Sequence, residues 1–355
     1  MADMDYNYSG DVVSGVEPAK KHTGAVIGGV TAGVLAVAVG GGIAAYNMSD
    51  LVKNQVKLTI SKPDEYYSWV LEKNSNEAAS QISEAYREYI EEYCKTSPLD
   101  YICFDYYMYM PKEGEQYKLY AGLYDNLNIV SDACRRTGRS LWFVPQVNSR
   151  RSDPLVPLTV NNLRFQAFTA LAFGAEVLTW ACYGKGWWIN NVLNEKGEKT
   201  QQYEKLKKVN SELHNIGPVY MRYKNKATHY VGFLPTNGLE KIGIAFKKEF
   251  GNEIVSGLRT KENSPLLVGE MVSRDVDEKS KAFLVLPSGD PLDVAPGCRT
   301  VLFKVQNGYC IKVVGPNGDI ALSMSSDGVR SFSLSENSMA IILIESIGNA
   351  GNRTF

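Results

Sequence analysis

The chain has 355 residues, with 38 Lys plus Arg against 39 Asp plus Glu, and a net charge of −1 leaves no electrostatic footprint for a nucleic-acid partner. Hydrophobic residues make up 44% and charged residues 22%, which excludes global disorder, and the length predicts about two domains. The only histidines, His22, His214 and His229, lie far apart, so zinc and Ser-His-Asp chemistry are set aside, carboxylate chemistry stays open, and neither metal nor cofactor is expected.

From Thr23 to Ser49 no residue is charged, and residues 23–46 are long and apolar enough as a helix to cross a hydrocarbon core about 30 Å thick. A single transmembrane helix is therefore expected after an N-terminal tail, 1–22. Lys20, Lys21 and His22 precede it as they do in an uncleaved signal anchor, which leaves the tail in the cytoplasm and the rest of the chain outside. A cleaved signal sequence and a soluble Gly/Ala-rich segment are the alternatives.

Residues 47–97 read as a connector and a helix. The helix, over about 76–93, carries Ala79, Ile82, Tyr86, Tyr89, Ile90 and Tyr93 on one face, and Pro98 marks the chain leaving it. Leu99–Phe104 reads as a buried strand. Leu119, Leu123, Leu127, Val130 and Cys134 then draw a helix stopped by Gly138, and Ser140–Pro145 reads as a second strand. Thr159 is placed to cap a helix bearing Leu163, Ala167, Ala170 and Leu171 and stopped at Gly174; a third strand over Glu176–Ala181 and a helix near Gln201–Ile216 follow. Continuous apolar strands alternating with amphipathic helices call for a parallel sheet over 98–217.

After Gly217-Pro218 the pattern changes to short apolar runs separated by Asn237-Gly238, Asn307-Gly308, Asn317-Gly318 and Asp327-Gly328, which are hairpin signals. Residues 228–346 are expected to form a β-sandwich, with 347–355 as a tail. The six cysteines show no C-x-x-C spacing, and most read as buried free thiols.

In an α/β barrel, ligands meet the residues just after each strand. Those are Asp105, Tyr106 and Tyr107, then Gln146 and Asn148, then Trp180, Tyr183, Trp187 and Trp188. Aromatic faces stack on the C–H face of a pyranose while carboxylates and amides hold its hydroxyls, so this set suits a carbohydrate. Asp105, next to an apolar strand, is the one candidate for catalysis. Arg164 and Glu176 read as helix surface and strand start.

The stretches DYICFDYYMY at 100–109, SLWFVPQ at 140–146 and LRFQAFTALAFGAEVLTWACYG at 163–184 resemble the last three βα units of a glycoside hydrolase (β/α)8 barrel. The likeness is to β-galactosidase-like proteins of family 42 type, and SPLLVGEMVSRD at 264–275 with KAFLVLPSG at 281–289 is similar to the β-domain that follows such barrels. The resemblance implies a partial TIM barrel followed by a β-sandwich, and O-glycosyl hydrolase ancestry. It also implies an acid/base carboxylate for which this chain shows no counterpart, and it sets Gln146 where a nucleophile carboxylate would stand. Catalysis would need a second carboxylate from Glu113, Glu115 or Asp153, or a partner chain completing the barrel. The rival expectations are a non-catalytic carbohydrate-binding surface protein and a truncated or fused remnant.

Overall fold

A computed structural model describes residues 76–112, 115–119, 122–150, 157–181, 184, 188–232, 247–275, 280–292 and 296–347. The expected transmembrane segment, 23–46, lies outside these residues, as do Tyr183, Trp187, Glu113 and Asp153. No helix among the described residues is long and apolar enough to cross a membrane.

Helix α1 (Asn76–Thr96) leads into strand β1 (Tyr101–Tyr106), and a short hairpin of β2 (Tyr109–Lys112) and β3 (Glu115–Leu119) separates β1 from helix α2 (Leu123–Thr137). Leu119 therefore belongs to a strand and not, as its spacing suggested, to the helix. Gly138 ends α2 in the left-handed conformation, φ 71°, and leads into β4 (Ser140–Pro145). After β5 (Ser149–Arg150), helix α3 (Val160–Ala172) starts on a reciprocal cap: the Thr159 hydroxyl accepts from the Asn162 backbone N–H at 3.2 Å, and the Asn162 side chain accepts from that of Thr159 at 2.7 Å. Strands β6 (Ala175–Leu178) and β7 (Trp188–Ile189) and helix α4 (Gln201–Tyr220) complete the first part. α4 runs a turn beyond the expected break at Gly217-Pro218, because Tyr220 is buried there and its hydroxyl donates to the Leu171 and Ala175 carbonyls, both at 3.0 Å.

β1, β4 and β6 form a parallel sheet in that order. Ile102, Tyr106, Leu141, Phe143 and Ala175 turn toward the helices and join their core, while Tyr101, Cys103 and Asp105 alternate onto the other face beside Trp142 and Val144. On that second face the Tyr101 and Trp142 rings stack with centroids 4.2 Å apart. Cys103 is exposed there, as is Cys298 in the second part, and Cys94 and Cys310 are half-buried, so the expectation that most thiols are buried holds, among the described cysteines, for Cys134.

The second part holds two antiparallel sheets. The larger is built from β8 (Tyr223–Val231), β10 (Leu266–Ser273), β11 (Lys281–Pro287), β13 (Tyr309–Gly315), β14 (Gly318–Asp319) and β17 (Ala340–Ser346), in the order β14-β13-β17-β11-β10-β8. The smaller is β15 (Ser323–Met324), β16 (Arg330–Ser335), β12 (Cys298–Val305) and β9 (Val255–Thr260). Phe283, Val285, Ile342 and Ile344 of the larger sheet face the smaller across one core, whereas Leu284, Leu286, Ile341 and Leu343 turn the other way into the helical core. Burial on both faces explains why these strands read as unbroken apolar runs. α3 is wedged between the parallel sheet and this one. A Cβ on Gly269 of β10 would lie 2.7 Å from the Ala172 carbonyl oxygen, so glycine permits the close approach of sheet and helix.

Candidate functional site

β1 runs two residues further than its apolar pattern suggested, so Asp105 lies within the strand, near its end, and not after it. Its carboxyl is largely withdrawn from water. Burial pushes its proton affinity above the ordinary aspartate range, and a hydrogen bond from the Tyr107 hydroxyl works in the opposite direction. Tyr107 in turn meets the Trp188 indole edge-on, with centroids 5.1 Å apart and planes at 79°. Asp105, Tyr107 and Trp188 thus form a contiguous group at the C-terminal end of the parallel sheet.

Trp188 is held from the backbone outward. β5 and β7 pair as Ser149↔Ile189 and Arg150↔Trp188. The Asn191 side chain donates to the Trp188 carbonyl at 3.0 Å and accepts from the Asn148 amide at 2.9 Å. Gln202, near the start of α4, donates to the Val147 carbonyl at 2.7 Å.

Gln146 departs from the expected ligand role. It is fully buried, its Oε1 accepts from the Tyr109 N–H at 3.0 Å, and its Nε2 donates to the carbonyls of Tyr109 at 3.0 Å and Asn148 at 2.9 Å. Its backbone N–H and carbonyl pair with the Gln166 amide at 2.8 and 2.9 Å. Gln146 is a strut that joins the end of β4 to the start of β2. Asn148 is equally buried, Tyr106 turns into the core, and Trp180 is buried with its indole N–H donating to Asn210 at 2.8 Å. Of the described candidates, Asp105 and Tyr107 keep partial exposure, whereas Tyr106, Gln146, Asn148, Trp180 and Trp188 are buried. Gln166, Asn191 and Gln202 escaped the sequence reading. The available signal was a run of amide residues inside apolar segments.

Two carboxylates, Glu212 and the Glu176 that read as a strand start, are ion-paired supports. Glu212 of α4 takes Arg164 of α3 with both oxygens, the Nε–Oε2 contact being 2.7 Å. Glu176 accepts from the Ser140 hydroxyl at 2.8 Å and pairs with Arg274 of the β-domain. Among the described residues no cluster of His, Cys, Asp and Glu could hold a metal ion.

A concavity of about 390 Å³ lies along α4, lined by Tyr203, Leu206, Lys207, Asn210, Ser211 and His214 with Asn215. It is a groove on one helix face and includes neither Asp105 nor Tyr107.

The raised proton affinity of Asp105 has a stability consequence with a definite sign. The folded state holds this proton more tightly than the unfolded chain, so the protonated carboxyl's contribution is full below the unfolded value and is lost as pH rises through the folded one. Asp105→Asn should therefore be more stable than the unmodified chain at pH 7, and the gap should close as the pH falls toward about 4. Thermal unfolding at both pH values measures this; a gap independent of pH would mean that Asp105 is not held in a desolvated site.

No protein-family model matches the chain, and no curated protein matches it. Among solved structures, a Thermotoga maritima alpha-fucosidase in complex with fucose is similar at 11% identity and TM-score 0.30, over 76% of this chain and 57% of that one. A glycoside hydrolase family 30 subfamily 8 xylanase from Clostridium acetobutylicum gives 11% and 0.27, over 76% and 61%. An Anoxybacillus alpha-amylase gives 10% and 0.32, over 76% and 56%. The chain spans little more than half the length of these proteins. The likenesses are weak, and the reading below rests on the site's own geometry.

Proposed function

We propose that the chain binds carbohydrate at the end of its parallel sheet, with Asp105 accepting hydroxyl hydrogen bonds and Tyr107 offering aromatic surface, backed by the buried Trp188. The observation that carries this reading is the Asp105–Tyr107–Trp188 group itself: a desolvated carboxyl oriented by a phenol that lies against an indole. A carboxyl kept from water at a strand end is costly unless it serves a ligand or a structural bond. Its neighbours here are those a sugar ring requires.

The site is read as a binding site and not as a hydrolytic one. Hydrolysis by the usual route needs two carboxyl groups about 5–9.5 Å apart. The Asp105–Tyr107–Trp188 group contains one carboxyl.

A glycan panel probed with the full chain and with Asp105→Ala tests the reading. Loss of the buried acceptor should weaken binding by about 1–3 kcal/mol, or roughly 5- to 150-fold. A panel with no ligand, or affinities indifferent to Asp105, would remove the site.

We further propose that residues 23–46 hold the chain in a membrane as a single-pass anchor with the sheets on the outer side, a reading that rests on the uncharged run for the span and on Lys20, Lys21 and His22 for its direction. Carbonate-washed membranes should retain the full-length chain. Its release intact into the soluble fraction would overturn the anchor.

A further inference from the structure

The loop that follows β11 reaches out of the β-domain and is fastened to the first part of the chain. The Ser288 hydroxyl lies 2.6 Å from that of Tyr124 in α2. The Pro291 carbonyl takes two donors, as its two lone pairs allow: the Asn162 side-chain amide, and the Tyr109 hydroxyl at 3.3 Å. The Tyr109 hydroxyl shares its proton with the Asn162 carbonyl at 3.2 Å. Tyr109, Tyr124, Asn162 and Ser288 are all buried, so water does not readily replace a bond lost among them.

These contacts close a ring. Gln146 holds the Tyr109 backbone, Gln166 holds Gln146, and the Gln166 amide donates to the Asn162 carbonyl at 3.3 Å. Asn162 binds Pro291, and Pro291 returns to the Tyr109 side chain. Tyr109, the first residue of β2, is therefore fixed through its backbone from the end of β4 and through its hydroxyl from the β-domain. Tyr107 stands only two residues before it.

On the β-domain side the loop is seated by Asn337, which lies between β16 and β17, is fully buried and has a left-handed backbone, φ 58°. Its Oδ1 accepts from the Gly289 N–H at 3.0 Å. Its Nδ2 donates to Asn161 Oδ1 of α3 at 3.3 Å and to the Asp290 carbonyl at 3.4 Å, and its backbone N–H donates to the Pro287 carbonyl at 2.8 Å. We propose that Asn337 is a positioning residue for the Asp105–Tyr107 site: it sets the loop whose Pro291 carbonyl fixes Tyr109 and, through Tyr109, the backbone that carries Tyr107. This role deepens the carbohydrate reading and rests on it for what the site binds. It makes the β-domain a working part of that site.

Asn337→Gly in the full chain tests the role, because glycine keeps the left-handed turn and removes the amide. In detergent micelles without ligand, the Tyr109 amide and the rest of β2 should exchange about tenfold faster or more, while the β11 and β17 amides stay slow. The nuclear Overhauser contact between the Tyr107 ring and the Trp188 indole should weaken. Tyr109→Phe should do the same, and the double variant should add little to either, since both changes cut one chain of contacts. Ser333→Ala, exposed on β16, should alter none of these. For a sugar found by the glycan panel, Asn337→Gly should lower affinity about 3- to 10-fold. An unchanged β2 or an unchanged ring contact in Asn337→Gly would overturn the proposal, as would single effects that multiply in the double variant, or a sugar affinity equal to that of the unmodified chain. A panel with no ligand would remove the carbohydrate reading alone; exchange and ring contact would still decide whether Asn337 positions Tyr107.

Discussion

Arg164→Met should lower the stability of the chain by about 3–5 kcal/mol, because it leaves the Glu212 carboxylate buried without its partner. Glu212 is 5% exposed, and Arg164 meets both of its oxygens from the facing helix. The cost arises from stranding one charge and not from the intrinsic strength of the pair. Replacing both, as Arg164→Met with Glu212→Leu, should therefore recover most of the loss. Urea unfolding of the two single variants and the double variant closes the cycle. Single-variant losses below about 1 kcal/mol would show that the pair behaves as an exposed surface bridge.

Gln146→Ala should cost about 3 kcal/mol or more and should also loosen the site. The substitution deprives the Tyr109 N–H and carbonyl and the Asn148 carbonyl of their partner, at about 1–3 kcal/mol for each buried group left unsatisfied. Tyr109 is fully buried only two residues from Tyr107. Release of its backbone is therefore transmitted to the phenol that orients Asp105. Gln146→Glu discriminates between support and direct contact. The change restores a carboxylate where the family resemblance puts a nucleophile, but in this setting it sets an acceptor against two carbonyl oxygens. It should destabilise the chain without creating activity, as measured by chemical unfolding and by nitrophenyl galactoside hydrolysis. Turnover in that variant would show that Gln146 faces the ligand.

Where local chemistry is sufficient, the sequence announces the fold. Ser140–Pro145 reads as a strand with the same ends that it has, Thr159 caps the helix it was placed to cap, and Gly138 ends α2. What fails to show depends on distant partners. The helical stripe on α3 was read as one-sided, yet nearly every residue from Asn161 to Ala172 is buried, because a sheet covers each side of it. The hairpin over 109–119 went unread although Gly114 lies in the sequence between its two strands. Gln146 looks the same in a sequence whether its amide meets a sugar or a peptide group 37 residues away. Asp105 was recognisable as unusual because it stands beside an apolar run, but its place inside the strand follows from β4, with which it pairs at Val144.

The central claim is a location as much as an activity: a sugar should sit on Asp105 and Tyr107. A crystal structure of the chain with an oligosaccharide selected from the glycan panel tests it most directly. The account predicts a sugar hydroxyl within about 2.5–3.0 Å of the Asp105 carboxyl and a ring against Tyr107. A sugar seated instead in the groove of Tyr203, Lys207 and His214 on α4, with the Asp105 carboxyl touched by no ligand, would contradict it.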